Sequence, residues 1–198
     1  MNKQFRTIIL TFILLEFLTF RIEAQNYSQP DSAEVSKTVF NFFDWYINAI
    51  KTRKGIEYNP QFVEAENGMT TLDFKVYFEN LKIHGFSDTL IEIERQSYHD
   101  CLENLAKVKY SEFLKEFDDL DDFEATNCDF TNYYRWLGGQ EIGDGIKIKE
   151  IYFVNNRKCI VTIQEFDQSE NDYSFWKNKR NVTLIKPIDT WLILNIDR

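Results

Sequence analysis

The sequence predicts an α+β fold in which N-terminal helices pack on a curved antiparallel β-meander. Over residues 31–53, apolar side chains recur at three- and four-residue intervals, the period of an amphipathic helix. Over residues 146–196, short runs rich in β-branched residues are separated by turn residues, the pattern of consecutive strands. A chain of 198 residues can bury a sizeable core, and we expect a single domain over residues 25–198.

The predicted meander has four strands, and its first strand changes parity. The strands are expected at residues 146–154, 159–166, 181–186 and 190–196. In the first strand, Ile146 and Ile148 alternate with lysines, but the next apolar pair, Ile151 and Phe153, has the opposite parity. Either Glu150 marks a β-bulge, or the second half of this strand is buried on both sides.

Composition predicts the rest of the meander. The second strand places Cys159, Val161 and Ile163 on one face. The polar stretch 167–178 is expected to form a long loop. The last run, 190–196, is apolar at nearly every position, which is typical of a central strand covered on both faces.

The helices are predicted from their periodicity and their end signals. Asp31 and Glu34 have the spacing of a capping box at the start of the first helix. Residues 55–68 are expected to form a loop and residues 70–81 a short helix, although part of the second segment would also fit a strand. A second long helix is predicted over about residues 88–108.

The first residues have the three regions of a secretory signal peptide. A short basic segment precedes the apolar run 8–15, and Ala24 is a small residue at a suitable distance, so cleavage is expected between Ala24 and Gln25. Glu16 within the apolar stretch makes a permanent membrane anchor unfavourable, although an uncleaved anchor is the alternative. The mature chain is therefore expected to be periplasmic or secreted, with no stable membrane span.

Charge and composition limit the partners. The formal net charge is −9, which disfavours binding to nucleic acid or anionic lipid because both are polyanions. The aromatic content of 16% argues against disorder. We expect no cofactor, and the partner is expected to be a small ligand or a protein. The sequence leaves the oligomeric state open, a homodimer included.

The three cysteines allow one disulfide in an oxidising compartment, with three pairings open. Cys159 is expected to point to the apolar face of the sheet, where a buried thiol is well placed. The pair Cys101–Cys128 is therefore favoured, and three reduced thiols are the alternative. No Cys-x-x-Cys or Cys/His spacing indicates zinc, and no metal is expected.

The histidines and the acidic residues provide weak candidates for chemistry. The histidines are His84 and His99. His99 adjoins Asp100 on a predicted helix, where neighbours in sequence do not face each other, so a catalytic dyad is not expected. His84 has no visible partner in the sequence.

An acidic cluster lies at Asp118, Asp119, Asp121 and Asp122. It lacks the residue spacing of a dedicated calcium loop, and solvated charge is the simplest interpretation. The functional alternative is a surface for a basic partner protein, because acidic patches steer association.

Three segments carry a resemblance to a known family: Phe42-Phe43-Asp44-Trp45-Tyr46, the acidic segment 118–123, and Trp191-Leu192-Ile193-Leu194-Asn195-Ile196. In this pattern the chain resembles small exported bacterial proteins that carry an uncharacterised domain. Their cone-shaped α+β fold is named after nuclear transport factor 2 and is also called cystatin-like. The resemblance implies the fold but brings no catalytic residues with it, and this fold hosts both enzymes and binding domains.

In a cone-shaped fold the first helix borders the cavity, which makes four residues candidates for a ligand pocket. Tyr46 and Trp136 could stack on a ligand or form hydrogen bonds to it. Asp44 is a candidate general base of the kind that isomerases use, although it falls outside the apolar stripe of the helix. Tyr133 begins an aromatic run that forms either an exposed recognition loop or a cover over the core.

Two interpretations of the function follow. The first is an exported, non-enzymatic binding module that holds a small ligand in the cone or docks a protein, as an inhibitor or immunity protein does. The second is a small-molecule isomerase or dehydratase that uses Asp44 and Tyr46. The sequence favours the binding module, and it names no convincing catalytic group.

Overall fold

The structure is a computed structural model that describes residues 29–52, 55–116, 125–128, 130, 133–170 and 172–197. The expected signal segment 1–24 and the acidic cluster Asp118, Asp119, Asp121 and Asp122 lie outside the described residues. Within the described part, no helix is long and apolar enough to cross a membrane.

The chain forms an α+β fold with antiparallel sheets, as the sequence predicts at this level. The helices are α1 (Gln29–Lys51), α2 (Gly55–Tyr58), α3 (Lys75–Ile83), α4 (Asp88–Gln96), α5 (His99–Leu105) and α6 (Tyr110–Glu116). The strands are β1 (Gln61–Glu64), β2 (Thr70–Asp73), β3 (Gly145–Asn155), β4 (Lys158–Ser169), β5 (Asp172–Ile185) and β6 (Leu192–Ile196). β1 and β2 form a small sheet, and the larger sheet has the meander order β3-β4-β5-β6.

A β-bulge in β3 explains its change of parity. The register with β4 shifts between Ile148 and Glu150. Ile148 lies opposite Ile163 and Ile151 lies opposite Val161, so the apolar side chains before and after the bulge share one face. Of the two alternatives that the sequence left open, the bulge is correct. The extra residue also increases the local twist of the strand.

One face of the larger sheet, called here the inner face, builds the core. On β4, Cys159, Val161 and Ile163 alternate with less buried residues, as predicted, and they pair across the sheet with residues of β5. The helix α1 packs against β3 and β6 and belongs to the same apolar cluster. Burial raises the pKa of the Cys159 thiol to about 12, so this thiol is unreactive near neutral pH.

The stretch 167–178 is not a loop but the outer part of the β4–β5 hairpin. Its polar composition suggested a loop because a strand normally needs apolar side chains on one face. Cross-strand aromatic contacts support this part instead: the Phe166 ring lies 5.1 Å from that of Tyr173 and 6.0 Å from that of Phe175. Such pairs stabilise a hairpin beyond the core.

The last strand, β6, lies at one edge of the sheet rather than in its centre. The outer edge of β6 is covered by the backbone of another segment. The Ile193 N–H donates to the Gly85 carbonyl at 2.7 Å, and the Ser87 N–H donates to the Ile193 carbonyl at 2.9 Å. The segment between α3 and α4 therefore satisfies the edge as a further strand would.

The helical half differs from the prediction in three places. Asp31 lies inside α1 and is not a cap; its Oδ1 accepts hydrogen bonds from Lys186 Nζ at 2.7 Å and Trp191 Nε1 at 3.2 Å, which tie the helix to the sheet. Residues 55–83 contain the β1–β2 hairpin, whose short strands leave little periodic signal. The long helix over 88–108 is divided into α4 and α5 near Ser97, whose Oγ donates to the Glu94 carbonyl at 2.7 Å.

A disulfide joins Cys101 on α5 to Cys128, the pairing that the sequence favoured, and closes a loop with a sequence separation of 27. We predict that replacing both cysteines by serine lowers the free energy of unfolding by about 2–4 kcal/mol, because the unfolded chain gains freedom. Urea denaturation measures the difference.

Reductant provides the control for this prediction. Adding dithiothreitol should lower the midpoint of the wild-type chain and leave that of the double variant unchanged. A wild-type midpoint that is indifferent to reductant would contradict a stabilising disulfide.

Candidate functional site

A cleft of about 520 Å³ lies where the inner face of the sheet passes from apolar to polar residues. Along β4 the buried inner-face positions are Cys159, Val161 and Ile163, and the next is Glu165. One wall of the cleft is the segment 137–141 that precedes the sheet, called here the wall segment, and the floor comes from β4 and β5. The end of the sheet thus carries charged groups instead of a continued apolar core.

The floor of the cleft contains a buried ion pair between the two strands. Glu165 is 5% exposed, and its Oε1 is paired with the Nη2 of Arg180. Arg180 lies opposite Ile163 in the sheet, so its guanidinium group points to the inner face. Its Nη1 also donates to the carbonyl of Trp136 at 3.2 Å. The pair therefore joins β4, β5 and the chain just before the wall segment.

The second oxygen of Glu165 has no hydrogen-bond donor among the described residues. The backbone N–H of Gly143 faces this carboxylate and, with Arg180, lowers its pKa, but burial outweighs both and raises the pKa above its usual range. A buried acceptor without a donor costs about 1–3 kcal/mol. Oε2 is itself buried, and a donor group that reached it would therefore gain free energy.

Gly138 allows the wall segment to approach the ion pair. It has a φ of +66°, and a Cβ atom there would lie 2.8 Å from Arg180 Nη1. Any larger residue would be strained in the left-handed region and would collide with the guanidinium group. Gly138 therefore shapes the cleft as well as turning the chain.

A second buried polar cluster lies behind the wall segment. Glu94 on α4 is completely buried, and its Oε1 accepts hydrogen bonds from Tyr77 Oη at 2.9 Å and Tyr98 Oη at 3.1 Å. Arg135 forms an ion pair with the same oxygen. Burial, helped by the charge of Glu94, raises the pKa of both tyrosines, so each remains a protonated donor. This carboxylate is surrounded by donors.

Trp136 connects the two clusters. Its indole Nε1 donates to Tyr77 Oη at 3.1 Å on the side of Glu94, and its carbonyl accepts from Arg180 on the side of Glu165. The backbone closes a turn here, since Tyr134 and Gly139 form an isolated antiparallel bridge. Residues 133–139 are thus held from both sides by buried polar contacts.

The four predicted pocket residues are placed differently. Tyr46 and Trp136 come together in the core, where the Tyr46 hydroxyl faces the Trp136 backbone, and burial raises the pKa of Tyr46. Both side chains are buried rather than open to a ligand. Tyr133 is 38% exposed, and its hydroxyl lies beside Gly138, next to the cleft.

Asp44 is exposed on α1, which removes the general base on which the enzyme interpretation depended. The histidines do not join Tyr46 either. His84 stacks on Trp45 with ring centroids 4.5 Å apart, and burial lowers its pKa. His99 is exposed beside Glu103 on α5. These groups therefore do not converge on one pocket.

Sequence reasoning missed Glu165 and Arg180, although a signal for each was present. Glu165 has the same parity as Val161 and Ile163, and Arg180 has the same parity as Val182, which is buried on the inner face. A charged residue in the inward register of a strand is unusual and indicates a buried pair or a site.

No protein-family model, curated protein or solved structure matches the chain. The functional assignment therefore rests on the chemistry of the cleft.

The cluster around Glu94 should be essential for folding. We predict that Glu94→Ala lowers the free energy of unfolding by about 3–5 kcal/mol, because Arg135 is left as a buried charge without its partner. The matched control is Glu92→Ala on the exposed side of the same helix, with an expected loss of less than about 0.5 kcal/mol. Similar urea midpoints for the two variants would show that the buried pair does not stabilise the fold.

Proposed function

We propose that the chain is an exported binding module that holds a small polar ligand in the cleft over Glu165 and Arg180. We further propose that its helices and sheet form a cone of the nuclear transport factor 2-like type. Helices that precede an antiparallel meander, a bulged strand, and a first helix packed on the sheet support this fold assignment.

The observation that carries the proposal is the unused oxygen of Glu165. It is a buried atom of a residue that lines a cleft of about 520 Å³, and it lacks a donor among the described residues. Pockets for small molecules usually measure about 300–1,000 Å³ and orient their ligands with a few well-placed polar groups. Glu165, Arg180 and the backbone of the wall segment are such groups.

Two features support export to the periplasm or beyond. Residues 1–24 have the composition of a signal peptide, and the Cys101–Cys128 disulfide fits an oxidising compartment. The alternative in which a basic protein docks on Asp118, Asp119, Asp121 and Asp122 depends on residues outside the described part. The cleft is therefore the better supported site.

A ligand-observed NMR screen with a library of small polar molecules tests the proposal. Molecules that bind the wild-type chain should bind Glu165→Gln about tenfold more weakly, because the amide places a donor where the ligand brings its own donor. The matched control is Glu150→Gln, the same chemical change at an exposed position of β3, which should bind as the wild type does.

Circular dichroism would establish that both variants are folded. The proposal fails if the library gives no binder, or if every binder is equally sensitive to the two substitutions.

A further inference from the structure

We propose that the ligand of the cleft is a neutral, hydroxyl-rich molecule of the carbohydrate class. This inference rests on the proposed function and adds the chemical class of the ligand. Three properties of the cleft support it: its balance of charge, its set of hydrogen-bonding groups, and a tryptophan ring on its wall.

The charges that line the cleft cancel. Glu141 and Glu165 are balanced by Lys179 and Arg180. Arg180 is already committed to Glu165 and to the Trp136 carbonyl, so its charge is not available to an anion. Glu141 and Lys179 are exposed, so water screens their charges, and a charged ligand would lose hydration for little gain in a partly buried site. A neutral ligand avoids this cost.

The hydrogen-bonding groups of the cleft suit hydroxyls. Glu165 Oε2 needs a donor, whereas the side-chain amides of Gln140 and Asn178 each offer donors and an acceptor. A hydroxyl group both donates and accepts, so one kind of group can satisfy all three side chains. A molecule with several hydroxyls therefore matches this wall better than one with a single polar group.

Trp176 supplies the apolar contact. Its half-buried side chain lines the cleft, and its Nε1 donates to Asp167 Oδ2 at 2.9 Å, which fixes the orientation of the ring. A sugar ring has an apolar face of C–H groups that can lie flat on such a ring, with its hydroxyls directed outward. The bare backbone at Gly138 and Gly139, which also lines the cleft, permits close approach.

The test compares sugars that differ by one group. Glucose is paired with glucuronate, and N-acetylglucosamine with glucosamine, so that each neutral probe has a charged analogue. The signal is the indole N–H resonance of Trp176 in two-dimensional NMR. We expect the neutral sugars to shift this resonance saturably and the charged analogues to bind about tenfold more weakly or not at all.

Two variants connect the binding to the cleft. Glu165→Gln and Trp176→Ala should each weaken the binding of the neutral sugars about tenfold, and Glu150→Gln should leave it unchanged. Because Trp176 is only half-buried, its replacement tests the site even if Glu165→Gln does not fold; sugar binding in Trp176→Ala is then followed by ligand-observed NMR.

The outcomes separate this inference from the proposed function. Tighter binding of glucuronate or glucosamine than of the neutral partner overturns the inference but leaves a working cleft. If none of the four sugars binds but other small molecules bind in a manner that depends on Glu165, the inference is again overturned and the cleft is still a binding site. If no molecule binds in a manner that depends on Glu165, the carbohydrate inference and the proposed function both fail. Sugar binding that is insensitive to both variants also overturns the inference.

Discussion

The structure depends on burying two glutamate–arginine pairs on either side of one short segment. An ion removed from water costs several kcal/mol unless a partner and further hydrogen bonds compensate it. Glu94 with Arg135 and Glu165 with Arg180 meet this requirement only while residues 133–139 stay in place, because this segment supplies Arg135 and an acceptor for Arg180. The packing of the helices on the sheet and the shape of the cleft are thereby fixed together.

The two pairs differ in the surroundings of their carboxylates, and this difference separates a structural role from a functional one. Glu94 is surrounded by tyrosine donors and lies deep in the core, so it has a structural role. Glu165 is also buried, but it lines a cleft, and one of its oxygens has no donor from the described residues. A buried polar group without a partner calls for an explanation, and a ligand that supplies the missing donor is one.

Much of the fold could be predicted because its signals are local. The parity change near Glu150 reduces β3 to two alternatives, of which the structure has the bulge, and the inward face of β4 follows from simple alternation. The outer β4–β5 hairpin could not be predicted, since cross-strand aromatic rings replace the usual apolar face. The inward register of Glu165 and of Arg180 was visible in the sequence, but their pairing was not, because they are 15 residues apart and meet only through the register of the hairpin. Trp136 was identified as a site residue, but its role is to connect the clusters.

The most direct measurement is the pKa of the Glu165 carboxyl group, followed by NMR of the chain labelled with ¹³C in its glutamate side chains and assigned with Glu165→Gln. The account predicts a pKa above the usual value of about 4.3, because burial outweighs the effects of Arg180 and of the Gly143 N–H. A pKa at or below the usual value would mean that the carboxylate is hydrated or fully supplied with donors. The unused oxygen, and with it the basis of the ligand site, would then be contradicted.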